Sequence, residues 1–124
     1  LEQIQTYKQG VPQGLKPAEI ARLQELKAYI DANFLQEMSL IQLSRLSLLN
    51  EFKLKKGFKE QYGTTVFGYI RDLKMRYAAG LLHQSVPVSD IAFKLGYEQA
   101  HHFSVAFKQY MGVSPREFKK AGRH

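Results

Sequence analysis

The adjacent pair His101 and His102 offers the widest choice of chemistry in this chain, because imidazoles ligate metals, exchange protons near neutral pH and donate hydrogen bonds to a partner. A helical di-histidine metal site needs its ligands at i and i+4 on one face. Four residues after His101 stands Val105, and four after His102 stands Ala106. Neighbouring helical positions diverge by about 100°, so the two rings cannot share an ion unaided. Glu98 precedes His102 by four but falls at the expected helix start, with no cysteine or third ligand near it in sequence. No metal, no cofactor and no catalytic residue are expected. His101 reads as a donor facing a partner, and His102 as a phosphate contact or a packed flank residue.

A second group is Phe52, Lys55, Lys56 and Lys59, which at helical spacing share the face opposite Leu54, Phe58 and Tyr62. Lysines there neutralise phosphates or reach base edges, and an aromatic near a helix start can touch a thymine methyl. The competing reading is a solvated basic face with Phe52 folded onto its neighbours.

The elements that must position these residues are helices. Pro17 is a good first helical residue, and Ile20, Leu23, Leu26, Ile30 and Phe34 recur at helical spacing to about Asn33. Ser39 caps a short helix, Leu40 to Ser47, with Leu40 and Leu43 inward; Asn50 caps another, Glu51 to Tyr62, stopped at Gly63. Thr65 caps a long helix whose inward positions are Val66, Ile70, Leu73, Tyr77, Leu81 and Leu82. After Pro87 come a short helix from Val88 to Leu95, a stop at Gly96, and a helix from about Gln99 to Met111 with Phe103, Phe107 and Tyr110 inward. Gly112 ends it, and Ser114-Pro-Arg-Glu117 starts a last short helix as a capping box. No segment alternates with period two for long, so the expected fold is all-α with about seven helices. Residues 1–15, with Gly10, Pro12 and Gly14, read as a linker or arm, and 16–124 as one domain.

Composition narrows the partner. The 124 residues include no cysteine, which excludes disulfides and thiol catalysis, and no run reaches the roughly 18–20 apolar residues that span a bilayer. The net charge is +7 and the pI about 9.7, favouring a polyanion. Residues 1–38 carry four Lys and Arg against five acids, while residues 39–124 carry fourteen against six. The basic surface belongs to the later two thirds.

The chain also contains a repeat. "FKEQYGTTV" from Phe58 and "FKQYMGVSP" from Phe107 match at Phe, Lys, Gly and a hydroxyl residue, 49 positions apart, and Leu54 answers to Phe103, Leu46 to Leu95 and Tyr69 to Phe118. Short helix, tight turn, longer helix and capped exit make a helix-turn-helix, here at about 39–63 and again at about 87–112, joined by the helix at about 66–83.

These residues resemble a known family. "VSDIAFKLGYEQAHHFSVAFKQYMGVSPREF" is similar to the signature of AraC/XylS-type bacterial transcription regulators: a stretch ending in Ile-Ala, a Gly-aromatic turn, Phe-x-x-x-Phe-Lys, and Gly-x-Ser/Thr-Pro. In the first copy, Asn50, Lys53-Leu54, Gly57-Phe58 and the region of Tyr69 resemble a branch that includes siderophore-responsive regulators. The resemblance implies a seven-helix DNA-binding domain with both recognition helices in neighbouring major grooves of double-stranded DNA. A connecting helix of about 18 residues spans roughly 27 Å, comparable with the ~34 Å between successive major-groove segments. The family's base-reading places fall on Phe52, Lys55 and Lys56, and on Ala100, His101, Ser104 and Val105. Phosphate contacts are expected from Ser39, Asn50, Lys53, Lys59, Thr65, Arg71, Lys74, Arg76, His102 and Lys108.

Several residues depart from the family pattern. Leu48 stands where a glycine is usual, Ser44 where an alanine packs, Val105 where an arginine is common, and Ala100 where a polar residue is common. The first copy is therefore expected to give more polar base readout and the second more positioning. A cytoplasmic bacterial regulator is expected, with a sensing or dimerising domain preceding Leu1 and RNA polymerase as a further partner if the protein is an activator. The alternative is a helical protein-interaction module using the same faces. An enzyme is disfavoured, since no nucleophile motif, phosphate-cradling loop or carboxylate pair stands out.

Overall fold

The structure, a computed structural model, describes residues 14–121, which form seven helices in the order α1 (Pro17–Asn33), α2 (Leu40–Ser47), α3 (Glu51–Tyr62), α4 (Val66–His83), α5 (Val88–Lys94), α6 (Ala100–Met111) and α7 (Pro115–Ala121). No strand occurs among the described residues. The expected arm at 1–15 lies outside them apart from Gly14 and Leu15.

Local chemistry sets the boundaries. Ser39 Oγ accepts from the Gln42 amide at 3.1 Å while Gln42 Oε1 accepts from the Ser39 amide at 2.9 Å, a reciprocal capping box. Ser114 and Glu117 repeat that exchange at the start of α7, both bonds 3.1 Å. Asn50 Oδ1 accepts from the Lys53 amide at 2.8 Å, and Thr65 Oγ1 from the Gly68 amide at 2.9 Å. Each satisfies a donor that a helix start would otherwise leave open. Gly63 and Gly112 end α3 and α6 in the left-handed region, at φ 78° and 84°.

The described residues divide into two compact units, the first comprising 14–34 with Met38–Ile70, the second Leu35–Glu37 with 71–121. In the first, Leu23, Leu26 and Ile30 of α1 are buried, as are Leu43, Leu49, Leu54, Phe58, Val66 and Ile70. Gly57 matters here, because a Cβ on it would stand 2.7 Å from Leu15 Cδ1 and 3.0 Å from Leu23 Cδ1. The residue thus lets α1 and its entry lie close against α3. Above Phe58, the Lys27 ammonium sits 5.6 Å from the Tyr62 ring centre and 5.1 Å from that of Tyr69, and Asp31 accepts from the Tyr69 hydroxyl. Burial first, then that hydrogen bond, pushes the Tyr69 hydroxyl's pKa up.

In the second unit Met75, Ala78, Leu82, Ile91, Ala92, Leu95, Phe103 and Phe107 form one buried cluster. Phe107 packs against Phe103 and edge-on against Phe118, with ring centres 5.6 and 5.5 Å apart. The inward face of α4 differs from expectation: Met75 and Ala78 are fully buried, whereas Leu73, Tyr77 and Leu81 are half-buried. The flexible thioether and the small methyl fill space under the aromatic cluster, a choice made by the partners rather than by the stripe's period.

Candidate nucleic-acid interface

Both helix-turn-helix units are built on one backbone plan. In the first turn the Leu48 amide donates to Arg45 O at 3.4 Å and the Leu49 amide to Ser44 O at 3.3 Å; in the second, Gly96 donates to Phe93 O at 3.0 Å and Tyr97 to Ala92 O at 2.9 Å. This is the paired bonding of a Schellman turn, which needs a left-handed residue at its apex. Gly96 meets that need at φ 89°, and Leu48 adopts φ 58° with its side chain exposed. The departures from the family pattern are absorbed by hydroxyls: Ser44 Oγ donates to Leu49 O, and Ser47 Oγ donates to Ser44 O at 3.2 Å.

The register of the repeat changes at this turn, which corrects one expected match. Helices α3 and α6 correspond at an offset of 49 residues, as do their glycine stops, but before the turn the offset is 48: Leu43 with Ile91, Ser44 with Ala92, Ser47 with Leu95 and Leu48 with Gly96. Leu46, matched to Leu95 on sequence, is 54% exposed while Leu95 is buried, so Ser47 is the true counterpart. The first copy has one residue fewer between the left-handed apex and the N-cap of its second helix.

On α3, Leu54, Gly57 and Phe58 are buried and Phe52, Lys55, Lys56 and Lys59 are exposed. Phe52 is 70% exposed, with the Lys56 ammonium 5.8 Å from its ring centre; Lys56 also lies 4.0 Å from Glu60, one turn on. The aromatic is therefore displayed with its lysine rather than tucked into the core. Lys53 differs, because its ammonium is bound 2.9 Å from Glu19 of α1. It ties two helices of its unit together, a role its sequence neighbours do not disclose.

On α6, Phe103 and Phe107 are buried, His101, His102 and Lys108 are exposed, Val105 is 44% exposed and Ser104 is half-buried. Ala100 is half-buried against the core of its unit, leaving little of its methyl to a partner. The His101 and His102 rings are 6.1 Å apart and tilted by 53°. Among the described residues no group of three or more His, Cys, Asp or Glu gathers where a metal would sit.

The expected phosphate contacts fall into two kinds. The side-chain oxygens of Ser39, Asn50 and Thr65 accept from amides of their own helices, which leaves the two hydroxyl protons, the Asn50 amide protons and the free first-turn backbone amides as donors to an anion. Lys59, Arg76 and Lys108 are exposed cations and Lys74 is half-buried. Arg71 lies 5.7 Å from the Tyr110 ring centre and 3.9 Å from Asp72, which orders the guanidinium while leaving its side chain 61% exposed. Among the described residues no helix is long and apolar enough to cross a membrane.

Residues 43–121 match the family described as "Helix-turn-helix domain". The chain is 32% identical over 101 residues to the HTH-type transcriptional activator RhaS of Klebsiella pneumoniae, covering 81% of this chain and 36% of that protein. It is 33% identical over 99 residues to the activator RhaR of Yersinia pseudotuberculosis, covering 78% and 31%. Among solved structures, the C-terminal domain of AraT, a response regulator from Geobacillus stearothermophilus, is 28% identical with a TM-score of 0.75, covering 88% of each chain. The DNA-binding domain of AdpA, solved with a target DNA, shares the fold at 19% identity and TM-score 0.74, covering 82% of this chain and 92% of that one. The chain belongs to the AraC-type helix-turn-helix family of transcription regulators. It spans about a third of the length of the curated relatives it matches.

Proposed function

We propose that this chain is the DNA-binding part of a longer bacterial transcription regulator. It binds duplex DNA sequence-specifically through α3 and α6, each in one of two neighbouring major grooves. The observation that carries this reading is the recurrence, in both copies, of one helix-turn-helix plan whose second helix buries one face, Leu54 and Phe58 in α3 and Phe103 and Phe107 in α6, and exposes the other, with Phe52, Lys55 and Lys56 or His101 and Val105 on it. Phe52, Lys55 and Lys56 read bases from α3, and His101, Ser104 and Val105 from α6, with Ala100 limited to a grazing methyl contact. Lys59, Arg71, Lys74, Arg76, His102 and Lys108, with the amides after Ser39, Asn50 and Thr65, hold phosphates. Lys53 supports α3 instead, because Glu19 engages it.

The role is binding without a catalytic step, in the cytoplasm at the nucleoid. The RhaS and RhaR relatives are named as activators and are about three times as long as their shared part. On that ground we propose a sensing or dimerising domain elsewhere in the full protein, and RNA polymerase as a second partner.

Selection from random duplex DNA, then titration of the recovered site and a scrambled duplex across salt, tests the reading. Two base clusters about one helical turn apart, with affinity falling steeply in salt, are expected. Salt-sensitive but sequence-blind binding defeats the base-reading assignment. Absence of DNA binding, with salt-indifferent capture of a protein, transfers these faces to a protein-interaction role.

A further inference from the structure

We propose that Glu51 is a specificity-determining residue of the first recognition helix, its carboxylate accepting a hydrogen bond from the exocyclic amino group of a cytosine. This rests on the DNA-binding reading above. The structure makes Glu51 the counterpart of Ala100: each is the first residue of a twelve-residue helix, following its N-cap and ended by a left-handed glycine. The family resemblance gave a base-reading place to Ala100 and none to Glu51.

The two copies differ at this place in what they present. Ala100 offers a half-buried methyl, whereas Glu51 is exposed. Helix side chains tilt towards the N-terminus, so a first-turn residue projects off the tip, the part of a recognition helix that reaches base edges. The chemistry is also selective. Glu51 is the acid at the tip of a face that otherwise carries Lys55, Lys56 and Lys59. Among the described residues, the ion pairs of α3 join Lys53 to Glu19 and Lys56 to Glu60, and none takes Glu51.

An unpaired carboxylate at a polyanion is repelled unless it meets a donor. In the major groove, cytosine N4 supplies a donor with no acceptor beside it on the same base, while guanine and thymine present acceptors that a carboxylate opposes. Glu51 therefore favours cytosine, meets adenine less well because N7 lies beside its N6 donor, and rejects guanine and thymine. An acid in the first turn also complements the helix dipole, but that effect is blind to the DNA sequence.

Selection from random duplexes, run in parallel on the 124-residue chain, Glu51→Ala and Glu51→Gln, separates the two roles. The expected wild-type site contains one position preferring cytosine by about tenfold. In Glu51→Ala that preference falls to within about twofold of the other bases while all other positions persist. In Glu51→Gln the same position moves towards adenine, which an amide pairs with through N6 and N7. Identical base preferences in all three proteins overturn the inference and leave DNA binding standing. A wild type that recovers no preferred sequence overturns the functional reading and this inference with it.

Discussion

Lys53 on α3 reaches back to Glu19 on α1, ammonium to carboxylate at 2.9 Å, from the flank of a helix whose other lysines are exposed. The pair ties Lys53 to the fold of its unit, whereas Lys55, Lys56 and Lys59 are the lysines proposed to meet DNA. Lys53→Ala is expected to leave the salt dependence of DNA affinity unchanged and to lower stability slightly. Lys59→Ala is expected to reduce the slope of log affinity against log salt by about 0.9 with stability unaltered. Salt titrations of both variants, alongside denaturant melts, check this contrast.

The same ion pair gives an acid dependence. The Lys16 backbone amide, then the Lys53 ammonium, hold the Glu19 carboxyl below its ordinary value of 4.5. A carboxyl depressed in the folded state contributes stability that is present above the unfolded value and lost as pH falls through the folded one. Stability should therefore decline below about pH 4.5, and Glu19→Gln should make that decline shallower while lowering stability at neutral pH. Glu117, depressed by the Ser114 amide and hydroxyl, contributes the same sign and should account for part of what remains. Thermal melts from pH 3 to 7 measure it.

Leu48 and Gly96 share the left-handed apex of the two turns, and only one of them is glycine. Leu48→Gly relieves a Cβ clash at a 72% exposed side chain and is expected to raise stability by ~0.5–1 kcal/mol. Gly96→Ala should lower it by about 1 kcal/mol through φ alone, since no atom lies within 4 Å of the added methyl. Opposite shifts in denaturant midpoint are the expected readout.

The two faces of α6 predict opposite outcomes. Phe107→Ala empties a fully buried site between Phe103 and Phe118 and should cost about 3–5 kcal/mol. Val105→Ala trims a side chain that is 44% exposed and should change stability by less than about 0.5 kcal/mol while weakening DNA affinity. A Val105 variant that loses stability and keeps its affinity would place that residue in the fold rather than at the interface.

Base reading should be unequal between the copies. Lys56→Ala is expected to weaken binding to the selected site by a factor of about 5–100 more than to a scrambled duplex, the range of one good base contact. Equal loss on both duplexes would make Lys56 a phosphate contact and remove the division of labour between α3 and α6.

Where helices begin and end was legible because it is decided within one turn. Ser39, Asn50, Thr65 and Ser114 each meet their amide three residues on, and the glycines at 63 and 112 stop their helices by backbone geometry alone. The exposed face of α3 was readable for the same reason, since a helix's period ranks residues by direction before any partner is known. The chain's own repetition, 49 positions apart, added a second reading of that face.

Other features were settled only when distant segments met. Lys53 and Glu19 are 34 residues apart, and Leu15 finds Gly57 across a still longer stretch of chain, so neither pairing has a periodic signature. Met75 and Ala78 are core residues because of what packs on them, and a hydrophobic stripe alone points equally well to Leu73 and Leu81. The one-residue change of register at the first turn is invisible to matching by side-chain type, where Leu46 and Leu95 look alike. It becomes plain when the amide of Leu48 and that of Gly96 take the same place in the same turn. Sequence by itself determined the helices, their caps and their outward faces, all short-range consequences of backbone bonding and period. Tertiary structure decided which lysine is spent on the fold, which residues close the core and where the two copies align, since those depend on contacts between residues far apart in the chain.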